Sequence, residues 1–222
     1  MNLLDFARGP ALAFVVSVFV LGAAWRVFGL LRYPAARDPS EPRAAPSAVL
    51  RTTLARLWPR TTFPRATPAL SANALAWHVA LAVVVLGFVP HIQFVRHLTG
   101  LSWPAVPGWI FGVAVAVFFF GLLFSLMMRL ASPVTRLLSG FDDYASVGIT
   151  VLPFITGMAA IHLPLDASYP WQPDHPAAVA IHLLSAELLL AWLPFGKLGH
   201  AFLVFISRGA TAAAFARKGA TS

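Results

Sequence analysis

Residues 177 to 205 read AAVAIHLLSAELLLAWLPFGKLGHAFLVF, an almost unbroken apolar run whose polar exceptions include His182, Glu187, Lys197 and His200. A helix rises 1.5 Å per residue, and about 20 mostly apolar residues cross a hydrocarbon layer of roughly 30 Å. This stretch is therefore predicted to span a membrane. Four more stretches qualify by the same rule: Pro10 to Leu31, Ala72 to Phe94, Trp109 to Met128 and Ala145 to Leu163. The first is read as a retained helix rather than a signal peptide, because its apolar run is too long and no small-residue cleavage site follows before Trp25 and Arg26.

Composition points the same way. Of 222 residues, 59% are apolar and 11% charged, and the mean hydropathy is +0.76. A water-soluble domain carries about 25% charged residues. The expectation is an all-α integral membrane bundle of five transmembrane helices, a single membrane domain over residues 1–222. There is no cysteine, which excludes a disulfide scaffold and every thiolate ligand for zinc, iron–sulfur or haem. Metal bound by this chain is held by imidazole or carboxylate.

The distribution of basic residues sets the expected orientation. Arg32, Arg37, Arg43, Arg51, Arg56, Arg60 and Arg65 fill the connection after helix 1 (32–71), Arg129 and Arg136 follow helix 3, and Lys197, Arg208, Arg217 and Lys218 lie near or beyond the end of helix 5. With alternating helices all of these share one side, against Arg8 and Arg96 on the other. The bias predicts an exterior N-terminus and a cytoplasmic C-terminus in the cell's inner (plasma) membrane. The net charge of +8 is thus a topology signal, or an attraction to anionic lipid, rather than a nucleic-acid footprint. A short interfacial helix is expected near Val49 to Trp58.

Seven histidines occur. Polar side chains inside hydrocarbon are costly unless paired, so His78, His91, His182 and His200 within predicted spans are functional candidates. On one straight helix His182 and His200, 18 residues apart, would share a face about 27 Å apart. Helices 2 and 5 run antiparallel, so His78 matches the depth of His200, and His91 that of His182. Each pair is suited to hold a haem iron through both axial positions. Ideal rotation puts His78 and His91 about 220° apart, and the kink expected at Pro90 is what would let both face helix 5. His97 or His162 are alternatives to His91, and His175, between Pro173 and Pro176, is read as solvated.

The segment Ile181 to Phe202 also resembles the last helix of the gamma subunit of respiratory nitrate reductases, a five-helix diheme cytochrome b. His182, Pro194, Phe195, Lys197, Leu198 and His200 match that family's motif, and Trp77–His78 matches the aromatic–His pair that opens its second helix. Where the family carries a Gly-His pair ten residues further on, this chain reads Gly87–Phe88, leaving His91 as a shifted counterpart. Ser132 to Gly157 is similar to the cytoplasmic turn and fourth helix of the wider group of membrane cytochromes. The resemblance implies two haem b groups, a quinone or quinol substrate, and a cytoplasmic iron–sulfur redox partner that performs the terminal catalysis.

Other polar residues have structural and functional readings side by side. Arg26 is a candidate cofactor-binding residue toward a haem propionate, or an arginine reaching the headgroups. Asp142 and Asp143 cap helix 4, with a salt bridge to a partner or to Arg136 as a second role. Glu187 either pairs across helices or relays protons. Gly29, Gly121, Gly157 and Gly199 permit close approach of a helix or a porphyrin face. No phosphate-binding loop, nucleophile triad or nucleic-acid module is present. The competing reading is a haem-free membrane anchor or small transporter whose histidines pack or carry protons.

Overall fold

The structure, a computed structural model, describes residues 2–32, 46–55, 68–161 and 176–217. All regular structure among these residues is helical: α1 (Leu3–Arg32), α2 (Pro46–Ala55), α3 (Pro68–Gly87), α4 (Val89–Thr99), α5 (Gly108–Ala131), α6 (Pro133–Leu137), α7 (Phe141–Ala160), α8 (Pro176–Trp192) and α9 (His200–Arg217). Five helical stretches are long and apolar enough to cross a membrane: Leu3–Arg32, Pro68–Gly87, Gly108–Ala131, Phe141–Ala160 and Lys197–Phe215. The chain is an all-α, multi-pass membrane bundle.

Helix boundaries follow local chemistry. Asn2 caps α1 by accepting the Asp5 N–H at 2.8 Å, so the helix starts before the apolar run does. Pro10 lacks an N–H, and the ladder passes it through a π-helical turn at Ala7–Ala11. Two expected spans are broken. The stretch placed at 72–94 ends at Gly87 and restarts at Val89, after Phe88 adopts an extended conformation with Pro90 in the first turn of α4. The stretch placed at 177–205 ends at Trp192, turns through Pro194 and Gly196, and passes through a 3-10 turn at Lys197–Gly199 into α9. Pro194 cannot donate to the carbonyl four residues back and its ring clashes there, so the ladder of α8 ends just before it. His182 and His200 therefore do not lie on one straight helix, and this turn sets where each ring points.

α3 packs along α5 and α7 along α8, while α1 lies against α8 and α2 against α9. Ala80, Val84, Phe111, Ala114, Phe118, Leu122 and Phe154 form the apolar core, with Phe118 fully enclosed and stacked on Phe154 at 3.6 Å between ring centres. Close packing of α3 on α5 depends on Gly121, where a β-carbon would come within 2.8 Å of Trp77 Cβ. Asn73 reinforces that seam by donating to the Gly121 carbonyl at 2.9 Å and to Ser125 Oγ at 2.8 Å. Large apolar side chains such as Phe14, Trp25 and Phe120 point outward, as they do when the surrounding solvent is hydrocarbon.

Candidate functional site

Two histidine pairs face each other across the bundle. His78, from α3, and His200, at the start of α9, lie with ring centres 6.1 Å apart and planes at 75°. His91, from α4, and His182, from α8, are also 6.1 Å apart, with planes at 17°. The helices that carry them barely approach: α3 packs on α5 and α8 on α7 and α1, so the rings meet across the space between two helix groups.

The break at Phe88 explains how one continuous segment supplies both His78 and His91. On a straight helix His78 and His91 would diverge. With α4 restarted after Phe88, His91 Nδ1 comes back to the Val84 carbonyl at 3.0 Å, and its ring turns toward His182. The Gly87 site packs against Val106, which leaves no room for a β-carbon there, and the Val106 N–H donates to the Gly87 carbonyl at 3.0 Å.

All four rings are held in the same way. Nδ1 of His78 lies 2.6 Å from the Ala74 carbonyl, that of His91 3.0 Å from Val84, that of His182 2.9 Å from Pro153, and that of His200 2.9 Å from Lys197. A carbonyl only accepts, so each Nδ1 carries a proton, and in the neutral ring Nε2 is then the nitrogen with the lone pair. Metal-binding imidazoles are oriented by this second hydrogen bond. The ring centres are 6.1 Å apart in both pairs; with both Nε2 atoms on the line of centres, each about 1 Å off-centre, a metal midway would lie about 2 Å from each, an ordinary imidazole–metal distance.

Among the described residues no group of three or more His, Asp or Glu side chains converges on one point. Two imidazoles do not complete the coordination of a bare ion, but they do complete an iron whose other four ligands come from a macrocycle. The Trp77 ring stacks on that of His78 at 3.6 Å between ring centres, and its Nε1, enclosed by protein, has no acceptor among the described residues.

The surroundings of His182 were only partly visible in the sequence. Gly157 brings α7 against the ring, where a β-carbon would stand 3.1 Å from Cε1 and 3.2 Å from Nδ1. Thr156 Oγ1 lies 3.5 Å from His182 Nδ1 and 2.8 Å from Ser185 Oγ, which donates to the His182 carbonyl at 2.7 Å. Pro153, Thr156 and Gly157 share one face of α7 by their three- and four-residue spacing, a pattern that singles out this face once the partner helix is known.

Other candidates fall variously. The Arg26 guanidinium reaches within 3.8 Å of the β-position of Gly199, next to His200, because Gly22 lets α1 close on Pro194. His97 is exposed in the last turn of α4, and the ring facing His182 is that of His91. His162 and His175 lie outside the described residues. Glu187 is buried in α8. Asp143 does cap α7, accepting from the Gly140 N–H at 3.0 Å, but its charge partners are Arg129 at 2.9 Å and Lys197, not Arg136. A β-carbon at Gly29 would meet nothing within 4 Å, so no helix of the described residues packs closely there.

No family model and no solved structure matches this chain. A protein of Nitratidesulfovibrio vulgaris (strain Hildenborough) is similar to it, 27% identical over 146 residues that cover 65% of this chain. The match spans 61% of the length of that relative.

Proposed function

We propose that this protein is the haem b membrane subunit of a respiratory oxidoreductase, similar to the gamma subunit of nitrate reductases, which transfers electrons between the quinone pool and a cytoplasmic iron–sulfur partner. The observation that carries the reading is the double occurrence of facing imidazoles 6.1 Å apart, each with Nδ1 fixed on a carbonyl and Nε2 free. His78 and His200 would hold the haem on the cytoplasmic side, His91 and His182 the one nearer the exterior. Haem held by these residues would supply one-electron chemistry.

What the chain itself does is bind and orient. The four carbonyls set ring direction, the break at Phe88 brings His91 to the same side as His78, and Gly157 fits the wall behind His182. Arg26, whose guanidinium comes near Gly199, would neutralise a propionate of the haem held by His200. A quinol would exchange electrons near the His91–His182 pair, in the cell's inner membrane, with the terminal reaction left to the partner.

Optical spectra of the purified chain under anaerobic conditions test the reading. Dithionite, and then a quinol in a separate sample, should both produce the sharp reduced bands of six-coordinate b-type haem. A colourless chain would favour a haem-free anchor or transporter. Bands that dithionite develops and quinol leaves unchanged would remove the quinone from the proposal.

A further inference from the structure

We infer that Asp142 and Asp143 are positioning residues for His200, acting through Lys197; the inference rests on the reading of His78 and His200 as a haem-holding pair. Capping accounts for one of these carboxylates only. Asp143 accepts from Gly140 at the start of α7, as a cap does. Asp142 is engaged 55 residues away, where its Oδ2 accepts the backbone N–H of Lys197 at 3.0 Å.

The two carboxylates grip the same residue from both sides. Asp143, itself only 8% exposed, binds Lys197 Nζ and is neutralised further by Arg129 Nη1 at 2.9 Å, which also donates to Ser139 Oγ at 2.8 Å. Asp142 Oδ1 accepts from Ser146 Oγ at 3.3 Å, and Ser146 Oγ accepts from Trp192 Nε1 at 3.1 Å. Trp192 ends α8 and Lys197 opens the way to α9. Asp142 and Ser146, four residues apart on one face of α7, therefore bracket the segment that Pro194 breaks.

That segment has no slack. A β-carbon at Gly196 would stand 2.6 Å from Trp192 Nε1 and 2.8 Å from Asp142 Oδ1. Lys197, fixed at its backbone nitrogen and at its ammonium, offers its carbonyl to His200 Nδ1 at 2.9 Å. The chain of contacts runs from α7 through Lys197 to the ring nitrogen that orients the ligand. The ladder of α8 ends at Trp192 and does not reach His200, so the aspartates are what tie the intervening segment, and with it the first turn before α9, to α7.

The test uses the full-length, haem-loaded chain in detergent. His200→Ala and His91→Ala first assign the two low-spin haem components by which one each abolishes. Asp142→Ala and the milder Ser146→Ala should then weaken retention of the His200 component about 10- to 100-fold, the usual effect of removing an outer support of a metal ligand, and shift its electron paramagnetic resonance signal. The His91 component should keep its wild-type signal. Lys197→Arg, which retains the backbone N–H and the cation, should behave as wild type. Changes in both components, in neither, or in the His91 component alone, for both variants, would overturn the positioning role while leaving the haem reading intact. A wild-type chain that binds no haem would overturn both.

Discussion

Replacing Gly157 with alanine sets two effects of known sign against each other. Inside a helix, alanine is more favourable than glycine by about 0.5–1 kcal/mol, so α7 itself gains. The new methyl, however, would stand 3.1 Å from Cε1 and 3.2 Å from Nδ1 of His182. The ring must yield by a few tenths of an ångström, and the direction of yield stretches its 2.9 Å bond to the Pro153 carbonyl. Disturbing such a support typically costs 10- to 100-fold in metal affinity, or about 1.4–2.7 kcal/mol. The second effect outweighs the first at the ligand site and not in the helix. Gly148→Ala is the matched control, since it lies in the same helix and a β-carbon there meets nothing within 4 Å. Haem retention measured by dilution into apo-myoglobin should show the His91–His182 component released faster from Gly157→Ala only, while both variants hold or gain thermal stability. Equal retention in the two variants, or loss of the His78–His200 component instead, would refute the placement of this ring against α7.

Phe118→Ala removes a fully enclosed ring from between Trp77 and Phe154 and is expected to cost about 3 kcal/mol, measured by unfolding in mixed micelles. Asn73→Leu deletes both donations from α3 to α5 and is expected to cost about 1 kcal/mol, at the scale of interhelical hydrogen bonds in membranes, in the same assay. Gly22→Leu would drive a side chain into Pro194, whose ring atoms stand 2.8 and 2.9 Å from the β-position; a loss of about 1–3 kcal/mol is expected.

Fold class was legible because it rests on quantities that add along the chain, such as run length and charge density. The pairings His78 with His200 and His91 with His182 were legible for a related reason: depth in a membrane is nearly linear in residue number, whatever the rotation of each helix. What depth does not contain is azimuth. His91 reaches the face of His78 only because the chain is extended at Phe88, a local event that Pro90 announces but whose direction depends on the packing of Gly87 against Val106. The end of α8 is masked in the sequence, although Pro194 stands in the quoted stretch, because an apolar composition continues across it to Phe205. Asp142 is masked for the same reason: a carboxylate at a helix start looks like a cap until the turn it holds 55 residues later is known.

Haem content and axial ligation of the isolated chain test the central claim most directly. Two haem b groups per polypeptide, both low-spin with two imidazole ligands, one abolished by His200→Ala and the other by His91→Ala, are what these facing rings predict. A chain that folds as a helical bundle yet binds no haem, or that keeps both signals after either substitution, would contradict it.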